Sequence, residues 1–237
     1  MNKSFIDEIE TFKVNKNFTY QVIDLDGESG KVVLVDDFYA NPEMVRNLAI
    51  MIPPSINQRI LNNLPKGPTS GRINAFYMQD QLGPAYDKII KEVWPEHYEH
   101  YEEDYFLNSF RDATFVVNVM TSHNLPPRVP HIDTTDMRIF ASAIYLNTSE
   151  ECQGGTAFYK FGGNLYNIKC PNTMDVAKTQ KPTYYLTDND GDWELVYLAE
   201  MKFNRAIIYP GAMHHSAYVK EDWFTGNTYR MNQQFFI

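Results

Sequence analysis

The chain has no long hydrophobic run, few cysteines and no excess of positive charge, and each shortage removes a class of protein. No apolar stretch approaches the roughly 20 residues that a bilayer-spanning helix needs. Residues 1–10 are polar and charged, without the apolar core of a signal peptide. A soluble, cytoplasmic protein with no membrane partner is expected. Only two cysteines occur, Cys152 and Cys170, and their spacing matches neither a zinc ribbon nor a redox pair. Two reduced thiols are expected, in keeping with a cytoplasmic setting. The formal net charge of −9 sets up a field that repels phosphate backbones and anionic lipids, so nucleic acid is not an expected partner. Internal repeats and low-complexity segments are absent as well.

Aromatic residues, by contrast, are abundant. Sixteen tyrosines and 15 phenylalanines favour strands over helices. A chain of 237 residues is long enough to bury a large core in one domain. We expect a single domain over 1–237, with N-terminal strands and supporting helices in 1–105 and a β core in 106–237.

Residues 18–24 and 31–36 are apolar or alternating around Asp26-Gly27-Glu28-Ser29-Gly30, which predicts a hairpin. A helix should follow, with Asn41 as cap, Pro42 at its first position and Glu43 at the positive end of its dipole, until Pro53-Pro54 stops it. The segment Pro65-Lys66-Gly67-Pro68 predicts a loop. A second helix is expected from about Pro84 to Glu99, with Tyr86, Ile89, Ile90, Val93 and Trp94 at helical spacing; His97 and His100 sit among glutamates and are expected in solvent. From 114 onward strands dominate: 114–120, 139–146, 193–198, 205–209, 215–219 and 229–236. The acidic run 188–192 does not follow the EF-hand order, because Trp193 stands where the loop needs its sixth-position glycine; a hairpin turn is expected there. Helices first and strands afterwards predict an α+β chain, mainly β, built on a double-sheet jelly roll.

The chemistry concentrates in Pro130-His131-Ile132-Asp133. On an extended segment the His131 and Asp133 side chains share one face, about 6–7 Å apart along the backbone. One distant histidine would complete a 2-His-1-carboxylate set, which leaves open positions on Fe(II). His214 and His215 both follow the turn after Tyr209-Pro210-Gly211 and compete for that place. Strand alternation points them to opposite sheet faces. Further along, Arg230 could hold a dicarboxylate through its guanidinium.

The order of these features, His131-Ile132-Asp133, then Ala143-Ile144-Tyr145-Leu146-Asn147, Gly154-Gly155-Thr156-Ala157-Phe158, Arg205-Ala206-Ile207-Ile208-Tyr209-Pro210, His215-Ser216 and Arg230-Met231-Asn232, resembles the Fe(II)- and 2-oxoglutarate-dependent oxygenases. It is most similar to their prolyl-4-hydroxylase-like branch and to a little-characterised bacterial and phage group. Asp36-Asp37-Phe38 ahead of the capped helix is similar to the entry strand of that group, so the resemblance runs from about residue 31 to the end.

The resemblance implies that His131, Asp133 and His215 bind Fe(II) and that Arg230 pairs with the distal carboxylate of 2-oxoglutarate, with Asn232 adding a hydrogen bond. His215 is preferred to His214 because it directly precedes a small residue. The interval from His215 to Arg230 is longer than usual in such proteins, and an extended hairpin over 220–227 would absorb the difference; Arg205 and Arg138 are weaker alternatives to Arg230. With O2 as co-reactant, the implied reaction turns 2-oxoglutarate into succinate and carbon dioxide while oxidising a C–H bond. The carboxylate of Asp133 leaves no iron position for chloride, which favours hydroxylation over halogenation. The substrate would be a small molecule or a peptidyl residue, with Thr134, Thr135, Arg138 and Trp223 as candidate contacts. Two other readings compete: a cupin-like metal dioxygenase or isomerase, for which His123 is the only nearby extra histidine, and an inactive binding jelly roll.

Overall fold

The structure is a computed structural model that describes residues 7–28, 30–51, 70–73, 79–98, 115–120, 130–166, 186–225 and 228–237. The expectations for Pro65-Lys66-Gly67-Pro68, His100, His123, Cys170 and the turn at 226–227 lie outside these residues, as does Thr114 at the start of one predicted strand.

The predicted hairpin is present. Strand β1 (Thr19–Asp24) pairs antiparallel with β2 (Lys31–Asp36), Thr19 opposite Asp36 and Asp24 opposite Lys31. The Asp24 and Asp26 carboxylates accept hydrogen bonds from turn amides, Asp24 from Gly27 and Asp26 from Gly30, which closes the connection. A short helix α1 (Glu8–Thr11) precedes the hairpin and α2 (Pro42–Met51) follows it. Asn41 does not cap α2 through its side-chain oxygen: its Nδ2 donates to the Glu10 carbonyl at 3.1 Å, so it ties the two helices together.

The next helix, α3 (Gln79–Val93), begins five residues earlier than predicted and carries Pro84 inside it; Trp94 separates it from the single turn α4 (Pro95–Tyr98). The spacing of its apolar face holds. Tyr86, Ile89, Ile90, Val93 and Trp94 are all buried, together with Val45 and Leu48 of α2. His97 is not in solvent as expected: its imidazole is largely covered and stands edge-on to Phe140, ring centroids 6.2 Å apart.

The remaining elements are strands: β3 (Ser70–Ile73), β4 (Phe115–Met120), β5 (Phe140–Tyr145), β6 (Gly155–Phe161), β7 (Trp193–Glu200), β8 (Ala206–Pro210), β9 (His215–Tyr218) and β10 (Arg230–Phe236). Sequence reading missed β3 and β6. Seven strands form one antiparallel sheet in the order β1-β2-β8-β5-β10-β4-β3, and β7-β6-β9 form a second. His131 extends the smaller sheet through an isolated bridge to His215.

The two sheets pack face to face. Val32, Leu34, Ala141, Ala143, Tyr145, Ile207 and Tyr209 of the larger sheet meet Phe158 and Ala199 of the smaller one in a buried cluster. The helices cover the other face of the larger sheet, over Val33, Val35, Ile144, Ile208, Met231 and Phe235. β2, β5 and β8 thus alternate between two cores, which is why a buried strand such as β5 looks uniformly apolar in sequence. The protein is mainly β, an antiparallel two-sheet sandwich with few helices. The extended hairpin expected over 220–227 is not seen among the described residues: 220–225 form tight turns, with the Trp223 amide donating to the Lys220 carbonyl.

Asn204 locks the layers together just before β8. It is buried at φ 62°, a left-handed conformation that asparagine tolerates better than most residues. Its Oδ1 accepts from the Tyr39 amide at 2.8 Å and its Nδ2 donates to the Tyr39 carbonyl at 2.9 Å. Asn204→Ala should lower stability by about 2–4 kcal/mol, from two lost buried hydrogen bonds plus backbone strain. Asn204→Gly, which keeps the backbone relaxed, should cost less. Urea denaturation of both variants measures the difference.

Candidate metal centre

Two backbone hydrogen bonds build the site. The His131 amide donates to the His215 carbonyl and the His215 amide to the His131 carbonyl, each at 2.9 Å. Residues directly opposed in an antiparallel pair point to the same face, so both imidazoles face into the sandwich, ring centroids 4.6 Å apart. Asp133 follows two residues on, its amide donating to the Gly211 carbonyl at 2.8 Å. The result is a cluster in which one ligand atom from each of His131, Asp133 and His215 lies within 4.8 Å of the others. It is the only such group of three among the described residues.

Second contacts set the chemistry of each ligand. His215 Nδ1 lies 2.9 Å from the Met213 carbonyl, which can only accept, so Nδ1 is the donor there and Nε2 is the atom turned toward Asp133. That Nε2 is 3.2 Å from Asp133 Oδ2, and His131 Nε2 is 3.8 Å from Asp133 Oδ1. Ligand atoms held about 2.1 Å from one metal at right angles are about 3 Å apart, so small side-chain motions bring these atoms onto one ion. The His131 side chain is 36% exposed, Asp133 19% and His215 7%, so the site opens on the His131 side and is closed behind His215. Phe158 and Tyr209 do the closing. Tyr209 stands edge-on to His215 at 4.9 Å between centroids, and Phe158 is the register partner of His215 on β6.

His214 points the other way. It is buried on the outer face of the smaller sheet, edge-on to Trp193 at 5.3 Å, and neither ring nitrogen has a hydrogen-bond partner. Burial lowers its pKa to about 4, so it stays neutral at ordinary pH.

Arg230 and Asn232 lie on the inner face of β10. The guanidinium is buried; it donates to the Gly155 carbonyl at 3.2 Å and to Asn232 Oδ1 at 3.4 Å, while Nε has no partner. The strands are tightly packed at this corner: a Cβ on Gly155 would meet the Ala199 carbonyl oxygen at 2.0 Å. No carboxylate pairs with Arg230 among the described residues. Burial lowers its pKa, partly offset by Tyr145 and Tyr209.

The other two arginines considered for the dicarboxylate are already neutralised. Arg205 holds Asp36 through two hydrogen bonds, Nε to Oδ1 at 2.6 Å and Nη2 to Oδ2 at 3.1 Å. Arg138 pairs with Asp136 at 2.8 Å on the surface. Among the proposed substrate contacts, the Thr134 hydroxyl accepts from the Asp136 amide, and Trp223 packs beside Tyr218 and Lys220. Cys152 is a half-buried free thiol whose pKa burial raises to about 11, so it is chemically inert. Sequence reasoning missed the aromatic surround of His215; alternation along β8 would have placed Tyr209 on the inner face.

Fold and site together define a two-sheet β protein with a 2-His-1-carboxylate constellation inside the sandwich. The model of a family of unknown function, DUF6445, matches residues 78–227, and the chain belongs to that family. No curated protein matches it. Among solved structures it is similar to the non-heme α-ketoglutarate-dependent epimerase SnoN from nogalamycin biosynthesis, at 11% identity over 88% of this chain and 77% of that one, with a TM-score of 0.40. It is also similar to an N-substituted L-amino acid dioxygenase from Burkholderia ambifaria AMMD, at 10% identity over 86% of this chain and 81% of that one, with a TM-score of 0.30. Likenesses this distant carry no argument about chemistry, which rests on the site itself.

Two outcomes follow from this geometry. In anaerobic Fe(II) titrations, His215→Ala should abolish binding and His214→Ala should retain it. The Arg205 hydrogen bonds, helped by Lys202, hold the Asp36 pKa down to about 2, below its unfolded value near 4. The folded state therefore binds fewer protons in that window, so the stabilisation is complete above about pH 4 and is lost as pH falls toward 2. Asp36→Asn should cost about 1 kcal/mol at pH 7 after allowance for solvent screening, with the difference from wild type shrinking between pH 4 and 2 in thermal melts.

Proposed function

We propose that this protein is a non-haem Fe(II)- and 2-oxoglutarate-dependent dioxygenase that hydroxylates a C–H bond of a small molecule or peptidyl residue. The carrying observation is the convergence of His131, Asp133 and His215 within 4.8 Å on the inner face of the sandwich. Two imidazoles and one carboxylate are the facial set of non-haem Fe(II) oxygenases. The donor atoms fit such an ion, because the Met213 carbonyl holds the His215 proton on Nδ1 and leaves Nε2 toward Asp133.

The strand order supports reading the sandwich as a double-stranded β-helix. From β4 onward the chain visits the larger sheet, the smaller sheet at His131, the larger at β5, the smaller at β6 and β7, then β8, β9 and β10 in alternation. Eight strands wound this way make a jelly roll, and we read 1–237 as one domain built on it.

Arg230 supports the cosubstrate. A buried guanidinium without a carboxylate partner is costly, and a dicarboxylate whose far end reaches it supplies the missing charge. Gly155, whose carbonyl Arg230 holds, pairs with Tyr218, three residues along β9 from His215. That separation is about 10 Å at strand rise, a span suited to a five-carbon diacid between the metal ligands and the guanidinium. Asn232, in contact with Arg230, offers a further hydrogen bond to the carboxylate.

When bound, Fe(II) with 2-oxoglutarate and O2 supplies the oxidising chemistry, giving succinate, carbon dioxide and an oxidised substrate. The chain's own residues hold and shield it. Phe158 and Tyr209 keep water from the His215 side, Asp133 fills the position that a halide would need, and the exposed flank of His131 admits substrate. Such an enzyme belongs in a reducing compartment such as the cytoplasm. No helix among the described residues is long and apolar enough to cross a membrane, and the net charge of −9 disfavours nucleic acid as partner.

Anaerobic reconstitution with Fe(II), followed by 2-oxoglutarate turnover to succinate, tests the reading. Wild type should turn over slowly without substrate and His131→Ala should not turn over at all. Arg230→Ala should weaken 2-oxoglutarate binding about 100-fold, as expected for loss of a charge-assisted pair, and leave Fe(II) binding unchanged. Absence of both Fe(II) and 2-oxoglutarate binding in wild type would overturn the proposal.

A further inference from the structure

A single carboxamide holds the backbone on both sides of Arg230. The pairing of β5 with β10 runs from Ala141 opposite Phe236 to Tyr145 opposite Asn232, and the Leu146 amide carries it one bond further by donating to the Met231 carbonyl at 3.0 Å. Continued in that register, Asn147 stands opposite Arg230. A regular antiparallel ladder would then bond the Met231 amide to the Leu146 carbonyl and the Thr148 amide to the Tyr229 carbonyl. Both β5-side groups are engaged elsewhere. The Leu146 carbonyl accepts from Arg46 Nη1 at 2.7 Å, and the Thr148 amide donates to Glu151 Oε2 at 3.0 Å. Arg46 and Glu151 also pair with each other at 3.0 Å, which fixes this arrangement.

The Asn147 side chain takes the place of both ladder bonds. Its Oδ1 accepts from the Met231 amide at 2.7 Å, and its Nδ2 donates to the Tyr229 carbonyl at 2.5 Å. These belong to the two peptide groups that flank the Arg230 Cα. Asn147 is fully buried, so water does not compete for either bond. A carboxamide carries donor and acceptor on one short arm, which a carboxylate or a methyl group does not. Arg230 depends on such support because its own contacts are long: its guanidinium reaches the Gly155 carbonyl at 3.2 Å and Asn232 Oδ1 at 3.4 Å, and Nε has no partner. Its direction is therefore set by its Cα. On one edge of β10, Met120 of β4 pairs with Arg230; on the other, the Asn147 carboxamide stands in for β5.

We propose that Asn147 is a positioning residue for cosubstrate binding, acting through Arg230: by clamping both flanking peptides it aims the guanidinium at the distal carboxylate of 2-oxoglutarate. This rests on the dioxygenase reading and adds to it a residue that touches neither metal ligand nor cosubstrate. A charge-assisted pair is strong only when its geometry is held, and a misplacement of about 1 Å is enough to lose much of it.

The test uses the whole protein loaded anaerobically with Mn(II), and 2-oxoglutarate affinity is measured by calorimetry in wild type, Asn147→Ala, Arg230→Ala and the double variant, with thermal melts confirming that each is folded. Asn147→Ala should weaken 2-oxoglutarate binding about tenfold and leave Mn(II) affinity unchanged. In the Arg230→Ala background the same substitution should have no further effect, because the group it positions is gone. A residue that contributed stability alone would lower the melting temperature without moving 2-oxoglutarate affinity. Unchanged 2-oxoglutarate affinity in folded Asn147→Ala, a parallel loss of Mn(II) affinity, or additive effects of the two substitutions would each overturn the proposal. Should Asn147→Ala fail to fold, Asn147→Ser, which keeps one hydroxyl near the same peptides, is measured in its place and should weaken binding about threefold; failure of both to fold would make Asn147 a stability residue and overturn the proposal too. Wild type that binds neither Mn(II) nor 2-oxoglutarate overturns the dioxygenase reading itself, whereas wild type that binds both, with Arg230→Ala unaffected, removes only the Arg230 assignment and this proposal with it.

Discussion

The reciprocal pair of backbone hydrogen bonds between His131 and His215 is the constraint on which the site depends. Each is an ordinary 2.9 Å bond, yet together they join two segments far apart in the chain and place their imidazoles on one face. Once that register is set, period-two geometry carries Asp133 to the same cluster and sends His214 to the opposite side. A slip of one residue would exchange His215 for His214 and dismantle the set. β6 protects the register from the other edge of β9, pairing Phe158 with His215 and Gly155 with Tyr218. The same pairing presents the Gly155 carbonyl to Arg230, so one strand supports both ends of the site.

Electrostatics divides the arginines in a way that connects packing to function. Arg205 and Arg138 are spent on Asp36 and Asp136, and their chemistry ends there. Arg230 is buried among Tyr145, Asn232 and a backbone carbonyl, none of which carries a full negative charge. A folded protein keeps a desolvated cation without a counterion at substantial cost, and a site that awaits an anionic ligand gives that cost a purpose.

Much of the scaffold was legible in the residue order. The β1–β2 hairpin, the buried stripe of α3 and most of the later strands follow from periodicity and turn residues, because those signals are local. The errors share a cause as well. Pro84 reads as a helix start, yet helix α3 runs through it, since packing of Tyr86, Ile89 and Ile90 outweighs one missing backbone hydrogen bond. Asn41 reads as a cap, but its amide finds Glu10 in a neighbouring helix. Gly154-Gly155 hides the start of β6 because its glycines serve a close approach between strands rather than a turn. His97 sits among charged neighbours in sequence, but Phe140 covers it in space.

By itself, the sequence determined which residue types can form the site and which of them share a strand face. His131 with Asp133, and His215 against His214, are consequences of backbone alternation that need no knowledge of the fold. The tertiary structure decided what distance along the chain conceals. It tied Arg205 to Asp36, which lies on a strand far away in sequence and reaches Arg205 only through the pairing of β2 with β8. It brought Tyr209 against His215. Burial and pairing are properties of packed sheets, and they arise only when residues from distant segments exclude water together.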